Sequence, residues 1–235
     1  MRKLSVLLAV IMLVAASCAV EQERKAAASS EVKKETGETN ELSLTPPAPL
    51  DDDWSRWLVG QWDCAAESDL PGFKTSVRGR GQMTAEIGLG GQFLLIRMDG
   101  KMAQVSDEYL RHLRENLHAP EEQIRALQNM TFSNLELRSI HPQNGQIIAY
   151  LFDSWRCVAQ GTGKREGNKE IMEWKWSLAG AGSSVRVTEK VNEDKIVMLE
   201  KYLLVDGSIM EDRAVMIRKR SKPADSGDLA FLTPR

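Results

Sequence analysis

Apolar and polar side chains alternate with a period of two along most of residues 60–218. Between Lys74 and Ile87, for example, Lys, Ser, Arg and Gln side chains share one face, while Val, Gly, Met and Ala share the other. This alternation predicts strands that are buried on one face. Short turns such as Asp99-Gly100 and Asp206-Gly207 separate the runs. We therefore predict a mainly β fold, an antiparallel up-and-down β-barrel of about 8–10 strands, because closure removes exposed sheet edges.

Residues 106–129 interrupt this β pattern with a helical one. Ser106 is suited to cap a helix, and Leu110 and Leu113 then share one helical face. Pro120 suits the first position of a second helix. The pattern predicts a helical insertion in the barrel. It acts either as a lid over a cavity or as a packed insertion, and we favour the packed insertion.

The first 17 residues have the pattern of an export signal. Arg2 and Lys3 precede an apolar run, Leu4 to Ala16, which is shorter than the ~20 residues that a membrane-spanning helix needs. The following Cys18, preceded by small residues, resembles the cleavage site of bacterial lipoproteins. The resemblance implies cleavage before Cys18 and lipidation there, with a membrane anchor in the cell envelope. The alternative is a plain secretory signal with an incidental cysteine.

The composition divides the rest of the chain. Residues 18–50 are rich in Glu, Lys, Ala, Ser and Thr, which predicts a disordered tether between the anchor and a barrel domain at 51–220. Residues 221–235 are predicted to form a disordered tail. Because Ala19 provides no Asp-type retention signal, we expect the lipoprotein to reach the outer membrane and to face the periplasm.

Charge and cysteine content limit the partners. A net charge of −2 gives no general attraction to nucleic acid, so we exclude nucleic-acid partners, and the sequence identifies no protein partner. Cys64 and Cys157 remain after lipidation of Cys18. In an exported protein they can form a disulfide, or they can be two separate buried side chains.

The start of the first strand, Gly60-Gln61-Trp62, resembles the Gly-x-Trp motif of the lipocalin and calycin superfamily. This resemblance implies that Trp62 packs across the barrel floor against a basic residue of the last strand. Arg218 is the natural candidate, with Lys219 and Arg220 as alternatives.

A longer resemblance covers residues 54–219. The chain is similar there to the bacterial domain-of-unknown-function 1579 family, through Gly60-Gln61-Trp62, Leu89-Gly90-Gly91-Gln92-Phe93, Tyr150-Leu151-Phe152-Asp153-Ser154 and Met210-Glu211-Asp212-Arg213-Ala214. This resemblance implies a calycin-like barrel and no established activity.

No motif for catalysis or metal binding is found in the sequence. There is no Gly-x-Ser-x-Gly elbow, and the three histidines do not have the spacing of a metal site. We therefore predict no catalytic residue, no metal and no cofactor.

The strand pattern does suggest a site for a small, largely apolar ligand. Six side chains share the predicted inner face. They comprise an apolar wall and a polar floor: Met172, Trp174, Trp176, Glu189, Glu200 and Tyr202. Glu211 and Arg213 are further inner-face candidates. Alternatively, the carboxylates face water and the tryptophans fill the core.

These predictions are compatible with three alternative functions. We favour a lipid-anchored envelope protein that binds or carries a small, largely apolar ligand. The first alternative is a structural or interaction module whose barrel is filled by its own side chains. The second is an enzyme that uses inner-face carboxylates.

Overall fold

A computed structural model describes residues 47–177 and 181–219. The predicted signal peptide 1–17, the lipidation of Cys18, most of the tether and the tail 221–235 lie outside the described residues. At its end, the predicted tether does enter the described part. There the Leu50 backbone amide donates a hydrogen bond to the carbonyl oxygen of Gly91 at 2.8 Å, and the Gln92 side-chain amide donates one to the carbonyl oxygen of Pro47 at 2.8 Å. The chain therefore contacts the barrel a few residues before position 51.

The described residues form three helices and ten strands. In chain order they are α1 (Asp53–Leu58), β1 (Gly60–Leu70), β2 (Phe73–Gly88), β3 (Phe93–Val105), α2 (Asp107–Glu115), α3 (Glu121–Gln128), β4 (Thr131–Ile140), β5 (Ile147–Asp153), β6 (Val158–Glu166), β7 (Lys169–Trp176), β8 (Ala181–Asn192), β9 (Lys195–Leu204) and β10 (Ile209–Arg218). Among these described residues, no helix has both the length and the apolar character needed to cross a bilayer.

Each strand pairs antiparallel with the next, and β1 closes the barrel by pairing with β10. In this closing pair Trp62 lies opposite Arg218, and Asp69 lies opposite Glu211. The prediction of a mainly β, antiparallel, up-and-down barrel with a helical insertion is confirmed. Closure also gives every strand an inner and an outer face, because successive side chains point to opposite sides of a sheet.

Helix α1 and three tryptophans close one end of the barrel. Asp52 caps α1, since its carboxylate accepts a hydrogen bond from the Ser55 amide at 2.8 Å. Trp54 packs edge-to-face on Trp57 at 5.2 Å between ring centroids, and Trp57 packs in the same way on Trp62 at 5.6 Å. The Trp62 indole donates to the carbonyl oxygen of Leu58 at 2.9 Å. We call this end the floor.

Arg218 holds the floor to the last strand. Its guanidinium carbon lies 4.1 Å from the centre of the Trp62 ring. The same group donates hydrogen bonds to the carbonyl oxygens of Val59 at 2.8 Å and Glu193 at 3.1 Å, and also to that of Trp57. The structure therefore places Arg218 against Trp62, in the arrangement that the calycin resemblance implied.

The helical hairpin α2–α3 packs at the opposite end of the barrel. Ser106 caps α2 by accepting a hydrogen bond from the Tyr109 amide at 3.2 Å. Tyr109, Leu113 and Ile124 are buried against the β1–β2 turn. Pro120 is the N-cap residue of α3 and not its first helical residue, because its ψ of 142° is extended. The hairpin is thus packed, as favoured from the sequence, and it also covers the interior described below.

Gly60 is needed at the floor, which gives a test of the closing contact. Its φ is +132°, and a Cβ added there would lie 2.9 Å from the Arg218 Nη1 atom. We expect Gly60→Ala to lower the free energy of unfolding by about 1–3 kcal/mol, from backbone strain and displacement of Arg218. Chemical denaturation measures this change. Gly72→Ala is the matched control, since Gly72 has a φ of +82° but nothing within 4 Å of the added Cβ. An equal loss in both variants would contradict a role for the Arg218 contact.

Candidate ligand-binding site

A cavity of about 360 Å³ lies inside the barrel, between the floor and the helical hairpin. Its lining runs from Leu58 at the floor to Tyr109 and Leu127 on the hairpin. Sites for small molecules usually measure about 300–1,000 Å³ and are lined mainly by apolar groups. The cavity has the size of such a site.

Methionine dominates the apolar lining of the cavity. The chain has ten methionines, and seven of them line it: Met83, Met98, Met102, Met130, Met198, Met210 and Met216. Methionine is unbranched and polarizable, so it can fit its side chain to differently shaped apolar partners. The wall of the cavity can therefore adjust to the shape of what it encloses.

Polar side chains cross the cavity in one row. The register of the last strands places Arg186 opposite Glu200, Glu200 opposite Asp212, and Asp212 opposite Ser68. All four side chains line the cavity. We call them the polar row.

A chain of ion pairs supports one end of this row. Arg186 Nη2 contacts the two carboxylate oxygens of Glu136 at 2.8 and 3.0 Å. Arg138 is ion-paired to both Glu136 and Glu170. Arg165 contacts Glu170 at 3.3 Å. Beyond it, Arg165 pairs with Asp52, the cap of α1. Carboxylate and guanidinium groups alternate along this chain, so each buried charge has a partner of opposite sign.

The pKa shifts follow from this pairing. Burial raises the pKa of Glu136, but Arg138 and Arg186 outweigh burial, so the pKa of Glu136 lies below its usual value. Burial likewise opposes the charge of Arg138, and the carboxylates of Glu136 and Glu170 outweigh it, so the pKa of Arg138 is raised. Glu136 and Arg138 therefore remain charged in the folded protein.

Glu200 and Asp212 have no such partner. Within the described chain neither takes part in an ion pair, since Arg186 is turned to Glu136. Burial raises the pKa of Glu200, and the Ser184 hydroxyl donates to its Oε1 atom at 2.6 Å. Burial also raises the pKa of Asp212 to about 6, and the nearby Glu200 carboxylate adds to the shift. The site therefore contains two adjacent carboxylates that are not neutralised by a side chain.

Aromatic side chains lie beside this acidic pair. Tyr202 and Trp176 both line the cavity, with ring centroids 5.9 Å apart. The Trp176 indole donates to the Ser184 hydroxyl at 3.0 Å. Burial, followed by the Glu200 and Asp212 carboxylates, raises the pKa of Tyr202 well above its usual value. Tyr202 is therefore a neutral phenol at physiological pH.

Several polar atoms of the cavity wall have no hydrogen-bond partner among residues 47–177 and 181–219. They are buried and belong to lining residues: Arg186 Nε, Tyr109 Oη, Trp155 Nε1 and Asp212 Oδ1. Buried polar groups are nearly always paired, so these atoms are available to a guest molecule.

Of the six predicted ligand residues, three line the cavity: Trp176, Glu200 and Tyr202. Met172 and Trp174 instead pack in a side cluster with Ile147 and Ala149. They form part of the core, which agrees with the alternative interpretation that the tryptophans fill the core.

The prediction for Glu189 was wrong. Its side chain points outward and contacts Lys169 and Asn168. The inner face of β8 carries Arg186 and other polar residues, whereas the valines face outward, and Val185 is 45% exposed. The sequence pattern predicted the wrong inner face for β8, because β-branched residues suit an exposed strand face as well as a buried one. Glu211 and Arg213 also point outward. Because side chains alternate between the two faces of a strand, Asp212 between them points inward.

Five residues that dominate the electrostatics of the site are not apparent from the hydrophobic pattern of the sequence: Glu136, Arg138, Glu170, Arg186 and Asp212. A usable signal was present in β4, where Glu136 and Arg138 are two residues apart and so share a face. Opposite charges at that spacing can form an ion pair along one face of a strand.

The disulfide considered between Cys64 and Cys157 is not formed. Both thiols are free and buried. Cys64 lies on β1, and Cys157 lies in the β5–β6 turn, which is far from β1 in the strand order. Burial raises the pKa of each thiol to about 12, so neither is reactive as a thiolate. Across residues 47–177 and 181–219, no group of three His, Cys, Asp or Glu residues is placed to hold a metal ion.

Comparisons with known proteins give only weak similarities. No protein-family model and no curated protein matches the chain. An S-type phycobiliprotein lyase from Guillardia theta is 12% identical, over 72% of this chain and 92% of the other, with a TM-score of 0.47. A de novo designed fluorescence-activating β-barrel is 9% identical over 72% of this chain and 100% of the other, with a TM-score of 0.35.

A third solved structure, a redesigned β-barrel bound to DFHBI, is 10% identical. It matches 70% of this chain and 97% of its own, with a TM-score of 0.34. At such identities and scores, the comparisons carry no inference about what this chain binds.

The buried ion pairs predict a strong effect of removing one partner. Arg138→Met leaves Glu136 and Glu170 short of a countercharge in the interior, so we expect a loss of about 3–5 kcal/mol in the free energy of unfolding. Arg213→Met is the control, because Arg213 forms its ion pairs at the surface, with a side chain that is 44% exposed. Its expected loss is about 0–1 kcal/mol. Denaturant titration of both variants measures these losses in the free energy of unfolding. Similar losses in the two variants would show that the interior ion pairs contribute no more to stability than the surface ones.

The raised pKa of Asp212 predicts a pH-dependent stability. The folded carboxyl, with a pKa of about 6 against 3.8 for the ordinary group, holds its proton more tightly than the unfolded one. Its contribution to stability is therefore largest below about pH 4 and is lost as the pH rises to about 6. We expect Asp212→Asn to stabilise the protein by about 1–3 kcal/mol at pH 7 and not at pH 4.

The surface control for this test is Asp206→Asn. Hydrogen bonds from Ser208 lower the pKa of Asp206, so its removal should destabilise the fold at neutral pH, which is the opposite sign. Thermal unfolding of the three proteins across this pH range measures both effects. A wild-type-like pH profile for Asp212→Asn would contradict the burial of its charge.

Proposed function

We propose that this protein binds or carries a small, largely apolar ligand inside its barrel, while a lipid anchor holds it in the cell envelope. The observation that carries the proposal is the cavity of about 360 Å³ with its seven methionines and its polar row. An apolar wall that adapts its shape, with a few polar groups at one place, is the usual construction of a ligand site.

The unpartnered polar atoms support a guest molecule further. Tyr109 and Arg186 are almost fully buried, yet Tyr109 Oη and Arg186 Nε have no hydrogen-bond partner in the described part of the chain. Leaving such groups unpaired costs about 1–3 kcal/mol each. A ligand or ordered water that bonds to them removes this cost, which favours an occupied cavity.

The envelope location rests on the N-terminal sequence. The export signal 1–17, the small residues before Cys18 and the polar stretch after it agree with a lipoprotein whose barrel stands off the membrane on a tether. Outer-membrane attachment, with the barrel facing the periplasm, belongs to the same proposal.

The open cavity argues against a barrel filled by its own side chains. It also gives the enzyme alternative one specific point of support: Glu200 and Asp212 face it side by side, and the pKa of Asp212 is about 6. A carboxyl with a pKa near the working pH is suited to general acid–base catalysis. We keep an enzyme as the second candidate. If the protein is an enzyme, a bound molecule should be recovered in chemically changed form, and Asp212→Asn should abolish that change.

A cavity-filling variant tests the proposed binding. Ala66 lines the cavity and retains accessible surface there, so Ala66→Phe should fit inside and occupy ligand space. We expect the full chain, isolated from the envelope, to carry an extra mass in native mass spectrometry that is lost on denaturation. In Ala66→Phe, occupancy and affinity for an apolar naphthylamine dye should fall at least about tenfold, because bulk replaces ligand contacts.

Val185→Phe is the matched control. It adds the same ring on the outer face of β8, where Val185 is exposed, and should leave the extra mass and dye affinity unchanged. Thermal unfolding verifies that both variants are folded. A bare mass in the wild-type protein that persists after exposure to an envelope lipid extract would overturn the ligand-carrying proposal.

A further inference from the structure

We propose that the ligand is an amine, with an apolar body in the methionine-lined space and a protonated nitrogen held by Glu200 and Asp212 beside Trp176 and Tyr202. This inference rests on the proposed ligand-binding function and narrows it to one chemical class. It follows from the charge balance, the geometry and the aromatic surroundings of the polar row.

The charge balance indicates a missing cation. Three carboxylates, those of Asp52, Glu170 and Glu136, alternate along one chain with three guanidinium groups, those of Arg165, Arg138 and Arg186. These charges compensate one another within the protein. Glu200 and Asp212 lie outside this chain and form no ion pair within the described residues. A buried charge without a countercharge is costly, so the cavity favours a cationic guest.

The geometry places both carboxylates at one point. Glu200 and Asp212 are direct neighbours across β9 and β10, and both line the cavity. One Glu200 oxygen accepts a hydrogen bond from the Ser184 hydroxyl. Ser68 and Tyr202 hydrogen-bond to the Asp212 carboxyl, but its Oδ1 atom is buried without a partner among the described residues. An ammonium group has three donors, which suits two neighbouring carboxylates that accept hydrogen bonds.

The aromatic side chains add a second, independent preference for a cation. Trp176 and Tyr202 lie next to the acidic pair and next to each other. The faces of such rings attract ammonium groups. The protein already uses this interaction nearby, where Arg186 lies 4.6 Å from the centre of the Trp174 ring. An anionic head group would instead be repelled by the two neighbouring carboxylates.

Arg186 supplies one further contact. It is 7% exposed and lines the cavity, and its Nη2 atom is committed to Glu136 whereas its Nε atom is unpartnered. This N–H group can donate to an oxygen of the ligand, such as a hydroxyl or carbonyl near the amine. The site thus fits an apolar amine with a hydrogen-bond acceptor close to its nitrogen.

Binding of an amine should depend on pH through the groups that face Asp212. These are Glu200 and Tyr202 on β9, and Ser68 and Asp69 on β1, whereas Arg186 on β8 acts on Glu200 and Tyr202. Arg186 lowers the pKa of Glu200, but burial outweighs it. Protonation of Asp212, whose pKa is about 6, removes the charge that holds the amine. We therefore expect capture at neutral pH and release on acidification.

Three probes with the same apolar body test the inference: octylamine, octanol and octanoate. Their affinities for the full chain are measured by displacement of the apolar dye, with direct calorimetry as a check. At about pH 7.5 we expect octylamine to bind at least about tenfold more tightly than octanol, and octanoate to bind most weakly, as charge-assisted hydrogen bonds predict. At about pH 5 the octylamine affinity should fall about tenfold, since about one-tenth of Asp212 remains ionised, while that of octanol stays constant.

Asp212→Asn and Glu200→Gln should each remove the preference for octylamine and leave octanol binding intact. Glu211→Gln is the control, because Glu211 lies on the same strand but faces outward to Arg213 and Lys201. Retained octanol binding verifies that each variant is folded with its cavity intact.

The outcomes separate the two proposals. Equal affinity for octylamine and octanol, a preference for octanoate, or dye binding without binding of any octyl probe would overturn the amine inference and leave the apolar-ligand proposal standing. Failure of the wild-type protein to bind the dye, together with a bare native mass, would overturn both. Loss of octylamine preference in Glu211→Gln as well would also overturn the assignment to Glu200 and Asp212.

Discussion

The structure depends on closure of the sheet through the pairing of β1 with β10. Closure leaves no exposed edge and creates an interior that side chains of every second residue enter. The contact between Trp62 and Arg218 secures this seam at the floor, and the backbone of Gly60 leaves room for it. Because the seam determines which face of each strand points inward, the cavity and the polar row both follow from it.

The interior shows how charges can be kept inside a small barrel. Alternating carboxylates and guanidinium groups run from the cap of α1, through Glu170, to Arg186 on β8. Charges paired in this way cost less to bury than isolated ones, although such pairs are weak evidence for net stability. In this arrangement each arginine of the chain is paired with a carboxylate. Glu200 and Asp212, which are outside the chain, are the carboxylates available to bind a ligand.

The two ends of the barrel have different physical characters. The floor is rigid, because three tryptophans pack edge-to-face and Arg218 bonds to several backbone oxygens. The opposite end is covered by the hairpin α2–α3, whose Tyr109 and Leu127 line the cavity. With flexible methionine side chains between these ends, the interior combines a fixed frame with an adaptable wall.

The sequence by itself determined the barrel class, the strand order and the helical insertion, since period-two alternation and turn residues are local signals. It also led to Trp62 and Arg218 by resemblance, and to Glu200 and Tyr202 by their pattern. Only the tertiary structure showed which face of β8 points into the barrel. The valines of β8 gave the pattern of a buried face, but Val185 is exposed and Glu189 points outward. The pairing of Glu136 with Arg186, and the absence of an ion-pair partner for Asp212 among the described residues, were likewise decided by register across the closed barrel. Such contacts join residues far apart in sequence, and no local pattern encodes their register.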